Sequence, residues 1–74
     1  SDAFFDPKYL SNIYDPLVLV VAYDDEESIG ADALWRNDVE GQKSYQSADT
    51  CVLESYRGRG VFTKMVKAKL SAIQ

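Results

Sequence analysis

The sequence has no histidine and a single cysteine, Cys51. Zinc sites are built mainly from those two residue types, so the usual ones are excluded. Nucleophilic catalysis by Ser–His or Cys–His pairs is excluded on the same count. A lone thiol cannot close an internal disulfide, which fits a reducing compartment; a cytoplasmic location is expected. Long apolar runs are also missing. The longest, Leu17 to Ala22, has strand length and falls well short of the roughly eighteen residues of a membrane span. Ser1 is followed by acidic rather than basic residues, so no signal peptide is expected. Internal repeats, low-complexity segments and linkers are lacking too, and with 74 residues the chain has room for one small domain with a modest core.

Acid is absent from one whole region. Residues 57–74 carry five bases, Arg57, Arg59, Lys64, Lys67 and Lys69, and no carboxylate. Residues 1–56 carry twelve acids against three bases, Lys8, Arg36 and Lys43. Such polarity often marks an anionic partner at the basic end. A solvated basic helix face that balances an acidic body accounts for it as well.

The rest of the pattern can be placed on elements. Pro7 and Pro16 each push the preceding residue away from helical geometry. Between them, Lys8 to Tyr14 has Tyr9, Leu10 and Ile13 at helical spacing, with Asp6 as a potential N-cap and Pro7 at the first position, and a short helix is expected. "LVLVVAY", Leu17 to Tyr23, is valine-rich and apolar on both faces, as in a central strand covered on both sides. A charged turn, Asp24 to Ser28, leads to a second strand, Ile29 to Arg36, with Ile29, Ala31, Ala33 and Trp35 on one face. A turn cluster, Asn37 to Gln42, precedes a long third strand, Lys43 to Ser55. From Val61 the period changes: Phe62, Met65, Val66, Leu70 and Ile73 form the apolar stripe of an amphipathic helix, with Lys64, Lys67 and Lys69 mostly elsewhere. The fold class expected is α+β: an antiparallel three-stranded sheet followed by a central helix.

"ESYRGRGVFTKMV", Glu54 to Val66, joins the last strand to that helix. The first amides of a helix lack internal partners, and its dipole makes that end positive. Glycines before it let a ligand approach closely, and a phosphate suits the place. Arg57 and Arg59 could add charge-assisted hydrogen bonds, and Thr63 a hydroxyl. Neither common phosphate loop fits: Gly60 is followed by Val61 rather than by the Lys of a Walker A loop, and the dinucleotide fingerprint retains only Gly58 and Gly60. An Arg-Gly-Gly type of nucleic-acid segment would need more repeats and a less acidic body. A plain strand-to-helix turn with solvated arginines also explains a bare R-G-x-G.

In context, "YRGRGVFTKMV" resembles motif A of the GNAT superfamily of N-acetyltransferases, [QR]-x-x-G-x-[GA] at the junction of a long strand and the central helix. Arg57 takes the first position and Gly60 the fourth; the sixth, usually Gly or Ala, is Phe62. "LVLVVAYDDEESIGADALWR" looks like the preceding hairpin and "DTCVLESYRGRG" like the strand into the motif, so the resemblance covers roughly residues 17–74. It implies acetyl-CoA as cosubstrate. Amides of Arg57, Gly58, Arg59, Gly60, Val61 and Phe62 would hold the pyrophosphate, with Thr63 beside them. Amides around Cys51, Val52 and Leu53 would pair with the pantetheine arm and polarise the thioester carbonyl. Proximity and an oxyanion-type donor would then promote attack by a substrate amine.

No acyl-enzyme is implied, so Cys51 reads as a strand residue and not as a nucleophile. The resemblance does not assign a general base. Gln46 stands where histone-type members have glutamate, and Asp49 and Glu54 are nearby carboxylates that also read as solvated strand and turn residues. The family fold continues past its central helix, so the chain is expected to be a partial domain with an exposed sheet edge and a tendency to dimerise. Phe62 lies on the helical stripe, so either its large side chain points into the core and the turn tolerates it, or the pyrophosphate cradle is altered. Two functions stay open: an acetyltransferase or its acetyl-CoA-binding half, and a non-catalytic interaction or regulatory module of the same fold. No nucleic-acid or membrane partner is expected.

Overall fold

A computed structural model describes residues 5–14 and 17–74. It is an α+β fold of four antiparallel strands and one C-terminal helix: β1 (Lys8–Tyr14), β2 (Leu17–Asp24), β3 (Glu27–Val39), β4 (Gln42–Val52) and α1 (Val61–Ala72). A 3-10 turn, Glu54–Tyr56, lies between β4 and α1. The sheet order is β1-β2-β3-β4, each strand beside its neighbour in sequence.

The helix expected over Lys8 to Tyr14 is instead β1. All seven residues pair with β2, from Lys8 opposite Tyr23 to Tyr14 opposite Leu17. The i, i+3, i+4 spacing of Tyr9, Leu10 and Ile13 is overridden by this pairing, because a seven-residue helix gains little without tertiary packing. Asp6 therefore caps no helix, and Pro7 precedes a strand. The break expected at Asp15–Pro16 lies outside the described residues.

The two later turns are tighter than their composition suggests. Asp24 pairs with Glu27, so only Asp25 and Glu26 turn the first hairpin, with Asp25 at φ 52. Val39 pairs with Gln42, leaving Glu40 and Gly41 in the second, both at positive φ (50 and 80). A two-residue loop with left-handed geometry matches the twist of its flanking strands, which lets pairing continue to the turn. The β3–β4 hairpin consequently runs on beyond α1, and the molecule is elongated, 50 × 17 × 16 Å. At its outer end Arg36 donates from Nε and Nη2 to the carboxylate of Asp38, at 3.1 and 3.0 Å.

The buried face of β3 differs from the simple alternation. The β2–β3 register shifts between Ala22 and Tyr23, which leaves Ile29 as an extra residue on β3. Beyond this bulge Gly30, Asp32 and Leu34 turn toward the helix together with Ile29, and all four are buried. Ala31 and Ala33 are half-buried on the opposite face, and Trp35 is exposed there. One extra residue exchanges the faces of everything that follows it. A second shift pits Ala48 and Asp49 of β4 against Ala33 alone.

α1 lies across one face of the sheet. Val61 and Met65 pack with Val20, Ala22 and Ile29, and Phe5, Tyr9, Val52, Tyr56 and Ala68 close around them. Gly30 allows this approach: a Cβ there would stand 3.0 Å from the Cys51 carbonyl oxygen and 3.2 Å from Met65 Cε. The helix row facing the sheet is Val61, Met65 and Lys69, one turn apart. Phe62 does not point into the core; it is 56% exposed, and Leu70 is exposed as well. Lys69, expected on the polar side, is buried because Asp32 waits beneath it. The Lys69 ammonium stands 2.9 Å from Asp32 Oδ2, and the Thr50 hydroxyl donates to Oδ1 at 2.7 Å. Asp32 Oδ2 receives no well-aligned hydrogen bond, so attraction between opposite charges at low dielectric holds this side of the pair.

Candidate functional site

Where β4 ends and α1 begins, the surface opens into a cleft of about 500 Å³. Thr50, Cys51 and Val52 form one wall, Tyr56, Arg57 and Gly58 the floor of the turn, and Gly60 to Thr63 the other wall. Eight of the ten residues expected to bind ligand thus line one hollow: Cys51, Val52, Arg57, Gly58, Gly60, Val61, Phe62 and Thr63. Leu53 and Arg59 do not.

The glycines shape the turn. Gly58 (φ 81) and Gly60 (φ 79) both adopt the left-handed conformation, and a Cβ on either would meet nothing within 4 Å. Backbone geometry, rather than crowding, requires glycine at both positions. Gly60 is the N-cap of α1 and supplies no side-chain cap. The first helical bond is Lys64 N–H to the Gly60 carbonyl at 3.1 Å, so the amides of Val61, Phe62 and Thr63 precede the internal ladder. No acidic residue occupies the first turn. The exposed Phe62 ring stands beside these amides at the cleft wall.

The strand wall offers one outward amide among the three expected. Leu53 N–H donates to the Ile29 carbonyl at 2.8 Å and is occupied. Its side chain belongs to a separate hollow on the open sheet face, with Val21 and Tyr23. Antiparallel ladders alternate, so Cys51, opposite Ala31, also directs its backbone toward β3. Val52 then faces away from the sheet. Its carbonyl accepts a hydrogen bond from Arg57 Nε at 3.2 Å, and its N–H is left on the open edge of β4.

The two arginines take opposite sides of the turn. Arg57 lines the cleft beside the end of β4. The Arg59 guanidinium lies over two rings, 5.0 Å from the centroid of Phe5 and 5.4 Å from that of Tyr56. These rings are 5.5 Å apart and tilted by 34°. The Tyr56 hydroxyl donates to Asp24 Oδ2 at 2.6 Å, which raises its pKa above the ordinary phenol value; partial burial adds to the effect. Tyr56 is therefore a neutral donor and not a base.

Among the described residues, the cleft lining contains no carboxylate. Asp49 and Glu54 are exposed and lie outside it. Gln46 is on β4 opposite Trp35, where it accepts a long hydrogen bond from Asn37 at 3.5 Å. The arrangement can hold an anion by amides and Arg57 and pair with an extended chain at Val52, and among the described residues it brings no carboxylate to that place. Sequence reasoning missed Thr50 and Tyr56 as cleft residues. Tyr56 was visible in the Y-R-G-R-G string, whereas Thr50 is placed by the β4 register. Among the described residues no cluster of three or more His, Cys, Asp or Glu could hold a metal ion, and no helix is long and apolar enough to cross a membrane. No family model, curated protein or solved structure matches this chain.

Proposed function

We propose that this chain is the acetyl-CoA-binding half of a GNAT-type N-acetyltransferase, which passes an acetyl group to an amine. The observation that carries this reading is the joining of three features in one cleft: the outer edge of β4 at Val52 and the first amides of α1, both without a backbone partner among the described residues, and the doubly left-handed glycine turn. The pyrophosphate is bound by the amides of Gly60 to Thr63 with Arg57, where the helix dipole and the guanidinium both favour an anion. The pantetheine amides pair with β4 at Val52, as an added strand would. In the reaction, the neutral amine adds to the thioester carbonyl carbon, the C–S bond breaks, and the proton lost by the nitrogen passes through water to the departing thiolate, which leaves as the coenzyme thiol.

The second reading is a non-catalytic module of the same fold, and two observations favour it. Among the described residues the cleft has no carboxylate, and Phe62 stands exposed where the resembling family has a small residue. Titration with coenzyme A, followed by amide chemical shifts, tests the shared step. Shifts are expected at Gly58, Gly60, Val61, Phe62 and Thr63, with Arg57→Glu abolishing them and Phe62→Ala keeping them. A folded wild-type chain whose spectrum does not change with millimolar coenzyme A would end the acetyl-CoA reading. Turnover of acetyl-CoA with an amine panel then separates the enzyme from the module. The outer edge of β4, unpaired among the described residues, also supports self-association, which sedimentation would reveal.

A further inference from the structure

Arg59 of the glycine turn makes its ring contacts on the side away from the cleft. Gly58 and Gly60 bracket Arg59, and their left-handed conformations reverse the backbone on each side of it. The Arg59 side chain leaves the cleft and lies against Phe5 and Tyr56. Tyr56 is in turn tied to the β2–β3 hairpin through Asp24. Its ring serves both sides, forming part of the cleft floor and of the stack. Phe5 precedes β1, more than fifty residues from the turn in sequence, yet it packs against the core cluster and supplies the nearer ring to the guanidinium.

We propose that Phe5, Tyr56 and Arg59 form a latch that positions the Gly58–Gly60 turn, so that the segment before β1 sets the ligand affinity of a cleft it does not line. A turn with two left-handed glycines has many accessible conformations, and holding it in one of them loses entropy. The cation–π stack holds Arg59, the residue between the glycines, against Phe5, which reaches it from the other end of the described chain. Ligand binding then meets a preformed set of amides. The stack also gives Arg59 a role distinct from Arg57: it orients the turn without touching the ligand. The affinity part of this proposal rests on the coenzyme reading above; the latch itself does not.

The stack has a spectroscopic signature. A guanidinium over an aromatic face shifts its neighbouring protons upfield, so the Arg59 Hδ and Hε resonances should be upfield in the wild type. Phe5→Leu removes the nearer ring and keeps an apolar side chain; it should cancel much of that shift and weaken coenzyme A binding about two- to fivefold, the scale of one exposed cation–π contact. Phe5→Trp should restore both. Arg59→Gln should weaken binding to a similar degree and raise the amide hydrogen-exchange rate of Lys64, whose N–H bonds the Gly60 carbonyl. An unshifted Arg59 in the wild type overturns the latch. So does a Phe5→Leu variant that loses the ring-current shift but retains its affinity and its exchange rates. If the wild type binds no coenzyme A, the functional reading fails, and the latch stands or falls on the resonances and on exchange at Lys64.

Discussion

The two faces of the sheet are built by the same strands and are equally apolar in sequence, yet they end in different states. On the helix side Val18, Val20, Ala22, Ile29 and Leu34 are at most 5% exposed. On the other side Leu17, Leu19, Val21, Ala31 and Ala33 are half-buried, and Leu10, Tyr14 and Trp35 are largely open. Strand composition alone does not decide which face becomes core. The row Val61, Met65 and Lys69 decides it, together with the bulge that presents Asp32 to the last of these. The covered face is consequently the one where substitutions matter.

The largest effect expected is at the ion pair. Lys69→Ala leaves the Asp32 carboxylate buried without its cation, and about 3–5 kcal/mol of stability should be lost in urea denaturation. Replacing both partners, Asp32→Leu with Lys69→Met, should recover most of that loss; a double variant as unstable as the single one would show that the pair itself, not the orphaned charge, matters. Next comes Met65→Ala, which opens a cavity over Gly30 and should be destabilising by about 2–4 kcal/mol. Gly30→Ala tests the same seam from below and should be destabilising by about 1–3 kcal/mol, since its Cβ would press on the β4 backbone and on Met65. A further contrast is in pH dependence. The Tyr56 phenol is kept neutral by Asp24 and ionises at higher pH than in the unfolded chain, so its contribution is complete below about pH 10 and lost as pH rises through the folded-state pKa. Tyr56→Phe should flatten that part of the alkaline denaturation profile. The smallest effect is expected on the open face: Trp35→Thr should change stability by about 0.5 kcal/mol or less. A loss of several kcal/mol there would mean that this face is covered in solution.

Much of this was legible in the sequence. The valine-rich run marked β2, the change of period placed the start of α1 at Val61, and the Arg-Gly cluster located the cleft. Two misreadings, the face of β3 and the exposure of Lys69, have one cause. Alternation places Ala31, Ala33 and Trp35 with Ile29, and on that pattern Asp32 is solvated and Lys69 has no reason to be buried. The bulge at Ile29 turns Asp32 inward, and the lysine one turn beyond Met65 follows it. A bulge is a property of two paired strands and leaves little trace in either one. β1 was missed for a related reason, because its strand state depends on seven partners in β2. At the site, Arg57 and Arg59 are alike as sequence neighbours of glycine, and the fold distinguishes them: Arg57 reaches the Val52 carbonyl, and Arg59 lies over the rings of Phe5 and Tyr56.

The strand order also bears on how the chain folds. Because every strand pairs with its immediate successor, the sheet can assemble by successive hairpin closures, each across a short loop. Such closures take on the order of microseconds for an isolated hairpin, and local topologies of this kind fold faster than those built on distant pairings. Docking of α1 is the step that must bring distant parts of the chain together, joining Met65 to Val20 and Lys69 to Asp32. The cleft comes into being only with that step. A sheet with its helix undocked has the glycine turn in its sequence but no place for a ligand, so a ligand of the cleft should slow unfolding and leave formation of the sheet unchanged.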